Sequence, residues 1–127
     1  VQRWRLPDSR EHSLYSATHI NHPCAIWCRQ SAQNYAWLWS LLREYCTEYT
    51  MRYGKVHKIE ADGLLDELDI LPHNIAGDIG FTKPPSAMDA KYIISEDPIA
   101  NYRNYYKYGK AHLHKWKKRN APEWLVA

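Results

Sequence analysis

Residues 19–30 read HINHPCAIWCRQ and bring His19, His22, Cys24 and Cys28 within ten positions. Two readings of this stretch lead to different folds. In one, the four side chains hold a zinc ion. Cys24 and Cys28 reach a common point and a histidine approaches from the preceding turn, giving a tetrahedral N/S set. In the other, Pro23 opens a helix and the sulfurs face a core. Proline suits the first helical position, because its missing N–H would have no intrahelical partner there. The residues after Pro23 favour the helix. Apolar positions recur every three or four residues at Cys24, Cys28, Tyr35, Leu38, Leu42, Cys46 and Tyr49, interrupted at Ser31. All three cysteines fall on this stripe, and no second cluster of ligands accompanies the first in the sequence. Packed thiols behaving as small hydrophobes are expected, with no metal and no cofactor, and His22 is expected to cap the helix.

The opposite stripe, Arg29, Gln33, Ala36, Ser40, Arg43, Thr47 and Thr50, is polar and suits solvent. Ser31 followed by Asn34 is a capping signal, so residues 23–53 form either one helix or two. Gly54 ends them. KVHKIEADGLLDELDIL predicts a second helix near 56–69, imperfect around Asp62–Gly63. Residues 71–91 hold three prolines and two glycines and predict a long irregular connection, fastened by Phe81, Pro84, Pro85 and Met88. Asp97 followed by Pro98 starts a last helix, extending to 118. Its buried side is expected to be Ile99, Tyr102, Tyr106, Leu113 and Trp116, with Gly109 marking a bend or a close approach of backbone. The expectation is an all-α, compact, single-domain fold: an irregular segment over 1–22 and a helical domain over 23–124.

Composition agrees with that scale. A chain of 127 residues, 45% of them hydrophobic, suffices for one ordinary core. Six tryptophans and ten tyrosines make much of the apolar mass aromatic, with polar edges that need partners when buried. Three cysteines are too few for a disulfide scaffold and point to a reducing compartment. No apolar run approaches the ~20 residues of a membrane span, and VQRWRLPDSREH has no signal-peptide core, so no membrane partner is expected. The polar start without methionine reads as a processed product or a piece of a longer chain.

Charge is unevenly placed. Between Pro98 and Pro122 lie Arg103, Lys107, Lys110, Lys115, Lys117, Lys118 and Arg119 with no carboxylate, which leaves the rest of the chain net negative. Arg103, Lys107, Lys110, His114, Lys117 and Lys118 fall at helical steps, bordered by Tyr105, Tyr108 and His112. Closely spaced cations neutralise phosphates and exposed tyrosines offer faces to bases, so these residues are candidate DNA contacts. An acidic protein partner fits the same stripe, and a solvated basic helix is the bland alternative. A second cluster, EYTMRYGKVHK at 48–58, adds Arg52, Lys55 and Lys58 as candidate DNA contacts. Within it Glu48 and Arg52 have the spacing of a structural ion pair. A carboxylate beside cations and an imidazole also suits proton transfer, or stabilises positive charge on a sugar ring, so Glu48 and His57 are the candidate catalytic residues.

The combination of NHPCAIW at 21–27, NYAWLW at 34–39, EYTMRYGKVHK, DPIANYRNYY at 97–106 and KAHLHKW at 110–116 closely resembles a group of uncharacterised bacteriophage proteins, over most of residues 21–124. More remotely, the chain resembles the pyrimidine-dimer DNA glycosylases, small all-helical enzymes that cut the glycosidic bond and then the backbone without a metal. YKYGKA at 106–111 is similar to the tyrosine-rich run that ends in YGKA in those enzymes. The resemblance implies a phage-type DNA-binding protein, with metal-independent glycosylase/lyase chemistry as its extension, acting in the cytoplasm of an infected host or in a virion. Two departures limit it. The phage group usually carries a further segment rich in Asp, His and Lys before the histidine-proline turn. The glycosylases use an amino-terminal amine and an early helix glutamate, and neither Val1 nor Glu11 sits in a matching motif. Catalysis is therefore left open, and a noncatalytic structural or protein-interaction role, such as a virion component, stands as the alternative.

Overall fold

The computed structural model of the chain describes residues 14, 15, 17–72, 75, 79–116 and 118–126. The described residues are all-α, with six helices and no strand: α1 (Pro23–Cys28), α2 (Ala32–Tyr53), α3 (Lys58–Ala61), α4 (Leu64–Leu68), α5 (Pro98–Gly109) and α6 (Glu123–Val126). Among them no helix is long and apolar enough to cross a membrane. The chain divides into two compact units at the Thr82–Lys83 bond.

In the first unit the N-terminus of α1 is capped by His22, whose Nδ1 accepts the Cys24 N–H at 3.0 Å, ahead of Pro23. Ser31 then leaves the helical region and its Oγ accepts the Asn34 N–H at 3.1 Å, so residues 23–53 form two helices. The junction is held by Asn34, which is fully buried. Its Nδ2 donates to the Trp27 carbonyl and to Thr82 Oγ1, both at 2.9 Å, and its Oδ1 accepts the Thr82 N–H at 2.9 Å. The Trp27 indole N–H also donates to the Thr82 carbonyl, and its ring meets Trp37 and Phe81 edge-on. Phe81 thus fastens the irregular connection midway along its length. Further along α2, Tyr35 Oη donates to the Leu68 carbonyl at 2.6 Å and Trp39 Nε1 to the Leu65 carbonyl at 2.8 Å. These bonds give the polar edges of the aromatics their partners and cap the end of α4. The helix expected over 56–69 is broken at Asp62–Gly63, where Gly63 adopts φ 80°.

In the second unit Asp97 caps α5, its Oδ1 accepting the Ile99 N–H at 3.0 Å, and Pro98 follows at the first turn. The buried residues of α5 are Pro98 and Asn101. Asn101 Oδ1 accepts the N–H groups of Ile94 and Ser95, and its Nδ2 donates to Ser86 Oγ and the Ser95 carbonyl. The expected buried side is corrected accordingly. Ile99 is 59% exposed and Tyr102 37%, because α5 packs through a polar residue satisfied by the preceding loop instead of through an apolar stripe, and Leu113, past the end of α5, is 54% exposed; Tyr106 and Trp116 are half-buried.

The expected extent of this helix is also corrected. It ends at Gly109, and a 3-10 turn over Ala111–Leu113 follows. The cause is packing around Gly109 and a side chain folding back. A Cβ at Gly109 would lie 2.8 Å from the Tyr105 ring and 2.9 Å from the Tyr92 ring, so the glycine permits a close approach. His114 Nε2 then donates to the Tyr106 carbonyl at 2.8 Å and its ring stacks on Tyr106, capping one of the last carbonyls of the helix. Gly109→Ala is expected to lower the midpoint of thermal unfolding. Overpacking costs about 1–3 kcal/mol, and at the last residue of α5 the propensity gained is less than the about 1 kcal/mol of a helix interior. An unchanged or higher midpoint would count against this packing.

Candidate nucleic-acid interface

Helix α5 carries Arg103 and Lys107, four residues apart, with Lys110 at its C-cap three residues on, and each cation lies over an aromatic ring. The Arg103 guanidinium is 5.2 Å from the Trp124 ring centroid, Lys107 Nζ 5.6 Å from that of Tyr108, and Lys110 Nζ 5.3 Å from that of Tyr105. Such contacts contribute about 0.5–1 kcal/mol at exposed sites and hold long side chains in place. Among the described residues, Arg103 and Lys110 make no ion pair with a carboxylate, so their charge is available to an external anion. Tyr108 is 67% exposed. Tyr102, Arg103, Tyr105, Tyr106, Lys110 and Trp124 line a recess of 410 Å³.

The structure therefore gathers Arg103, Tyr105 and Lys110 around one recess and sets Lys107 and Tyr108 on the same short helix. His114 is turned to the helix end, with its ring against Tyr106. Lys118 is exposed in a left-handed backbone conformation, φ 58°. Lys117 lies outside the described residues, as do Val1 and Glu11. Trp124 was not a candidate from sequence. It sits on α6, a single turn whose only signal is Pro122 before it, too short to show a period.

The second cluster belongs to the first unit. Glu48 Oε2 accepts from Arg52 Nε at 2.6 Å, as the four-residue spacing predicts. His57 caps α3, its Nδ1 accepting the Ile59 N–H at 3.1 Å, and its ring meets Tyr45 and Tyr49 edge-on at 5.4 and 4.8 Å. With Nδ1 an acceptor, the proton of the neutral ring is on Nε2. Lys55 and Lys58 are exposed. Both catalytic candidates thus have local structural roles. His57→Ala is expected to destabilise the protein by about 1 kcal/mol through the lost cap, and His57→Asn to restore most of it, read by denaturant unfolding. Equal losses in the two variants would show that the ring contacts, and not the cap, matter.

Cys24, Cys28 and Cys46 form no disulfide. Burial raises the Cys28 thiol above its ordinary pKa, partly offset by Arg29, and burial with help from the Glu60 carboxylate raises Cys46. Among the described residues no three His, Cys, Asp or Glu side chains converge as metal ligands. A raised thiol pKa favours the neutral form in the fold, so this contribution to stability is present below the unfolded thiol pKa and is lost as pH rises through the folded one. Native Cys46 is expected to react with a thiol reagent far more slowly than the unfolded chain at neutral pH. Comparable rates would contradict its burial.

Searches of protein-family models, curated proteins and solved structures find no match to this chain.

Proposed function

We propose that the protein binds DNA through the cation-aromatic surface of its second unit. The observation that carries this reading is the set of Arg103 and Lys107 on α5 and Lys110 at its C-cap, each beside a ring, with Arg103 and Lys110 unpaired to carboxylates among the described residues. Phosphates supply the complementary charge and bases the complementary faces. The resemblance to phage proteins supports the same reading and makes an infected host cell or a virion the inferred setting. Glycosylase/lyase chemistry enters only through Glu48 and His57, whose side chains form an ion pair and a helix cap. The test is DNA affinity at several salt concentrations. A phosphate-dominated complex weakens steeply as salt rises, with a slope of about −0.9 per phosphate contacted on duplex and about −0.7 on single strands.

A second reading, a noncatalytic protein-interaction module, draws on a different observation. In the first unit an apolar groove of 670 Å³ runs along α2, lined by Cys28, Tyr35, Leu38, Leu42, Tyr45 and His57. Absence of DNA binding at low salt would favour this reading over the first.

A further inference from the structure

Resting on the DNA-binding reading, we propose that the recess between α5 and α6 receives a single unstacked nucleobase, so that the protein prefers single-stranded to duplex DNA. At 410 Å³ the recess lies near the lower end of the range for ligand sites, about 300–1,000 Å³, the scale of one nucleotide. Its walls are rings with few torsions, already braced by neighbours. Tyr106 is stacked on His114 with ring centroids 4.7 Å apart, and Tyr105 is packed on Tyr92 at 4.9 Å and against Gly109. Trp124 meets Tyr106 edge-on at 6.1 Å. A base entering this recess finds little left to order, the condition under which stacking contributes most.

The cations complete the site. Arg103 and Lys110, both in the recess lining, lie over Trp124 and Tyr105 respectively. A nucleotide with its base among the rings thus has a positive charge available to a neighbouring phosphate. In a duplex both faces of each base are covered by neighbouring base pairs, so the rings gain nothing until a base is pulled out. In a single strand the base is free to enter. The phosphate contacts are common to both forms, and the discrimination comes from the rings.

The test uses the full chain and three fluorescein-labelled probes of equal phosphate number, read by anisotropy at low salt: a mixed-sequence single strand, a duplex of half its length, and a single strand of the first length with abasic sites through its centre. Single-stranded DNA is expected to bind roughly tenfold more tightly than duplex or abasic strand, the scale of one base-aromatic stack. Trp124→Leu, with its folding checked by thermal unfolding, is expected to lose several-fold more affinity for the single strand than for the duplex. Equal binding of the normal and abasic strands by the parent protein overturns the proposal whatever the variant does. Duplex binding as tight as single-strand binding overturns it too, and leaves the DNA-binding reading standing. Failure of all three probes to bind at low salt removes both.

Discussion

Replacing Lys107 and Lys110 together by glutamate is expected to weaken DNA binding by roughly tenfold or more at low salt and to make its salt dependence shallower by about two phosphate contacts. Lys107 sits in the last turn of α5, over Tyr108, and Lys110 at its C-cap, over Tyr105. Glutamate at these positions removes two positive contacts and sets carboxylates against the same phosphates. The fold should persist, because α5 is anchored elsewhere, by the Asp97 cap and by Asn101 bonded to the loop before it. Some stability is lost. Two cation-π contacts go, at about 0.5–1 kcal/mol each, and acidic residues near a helix C-terminus oppose its dipole. Thermal unfolding therefore accompanies the binding measurement, and the paired glutamine variant separates loss of charge from added repulsion. Unchanged affinity in a folded glutamate variant would reject this surface.

The features that sequence made legible are those set by local chemistry. His22–Pro23, Ser31 with Asn34, Gly54 and Asp97–Pro98 mark helix ends because a side chain or a backbone conformation within a few residues satisfies the terminal groups. The Glu48–Arg52 pair and the spacing of Arg103, Lys107 and Lys110 follow from helix geometry alone. What stayed hidden depends on contacts between segments. The stop at Gly109 is set in part by the Tyr92 ring arriving from the loop and by His114 folding back on Tyr106. The inward face of α5 was misplaced because its deepest residue is an asparagine, which an apolar period scores as solvent-facing. Trp124 completes the recess from a helix of one turn, below the length at which periodicity carries information.

Those buried asparagines are also where the largest loss of stability is expected. Asn34 closes the junction of α1 and α2 with three side-chain hydrogen bonds, one to the Trp27 carbonyl and two to Thr82, forty-eight residues away. Alanine there removes all three and strands the Thr82 N–H, while the Trp27 carbonyl keeps the Gln30 N–H as a partner, at a cost of about 1–3 kcal/mol, the range for one unsatisfied buried group. Aspartate should be worse at neutral pH. It keeps an acceptor for the Thr82 N–H, but it turns an anionic oxygen toward the Trp27 carbonyl in a site closed to water, and an uncompensated buried charge costs about 3–5 kcal/mol. The two variants then part company with pH. Burial raises the pKa of the new carboxyl above its unfolded value, so the charged form is the one penalised. The penalty is fully present above the folded pKa and shrinks as pH falls toward the unfolded one, because the protonated acid costs no charge and donates one bond. Denaturant unfolding at neutral and mildly acid pH, referenced to the parent at each pH, should show Asn34→Asp recovering on acidification and Asn34→Ala not. Both variants within about 0.5 kcal/mol of the parent, the range of an ordinary surface substitution, would mean that Asn34 does not hold this junction.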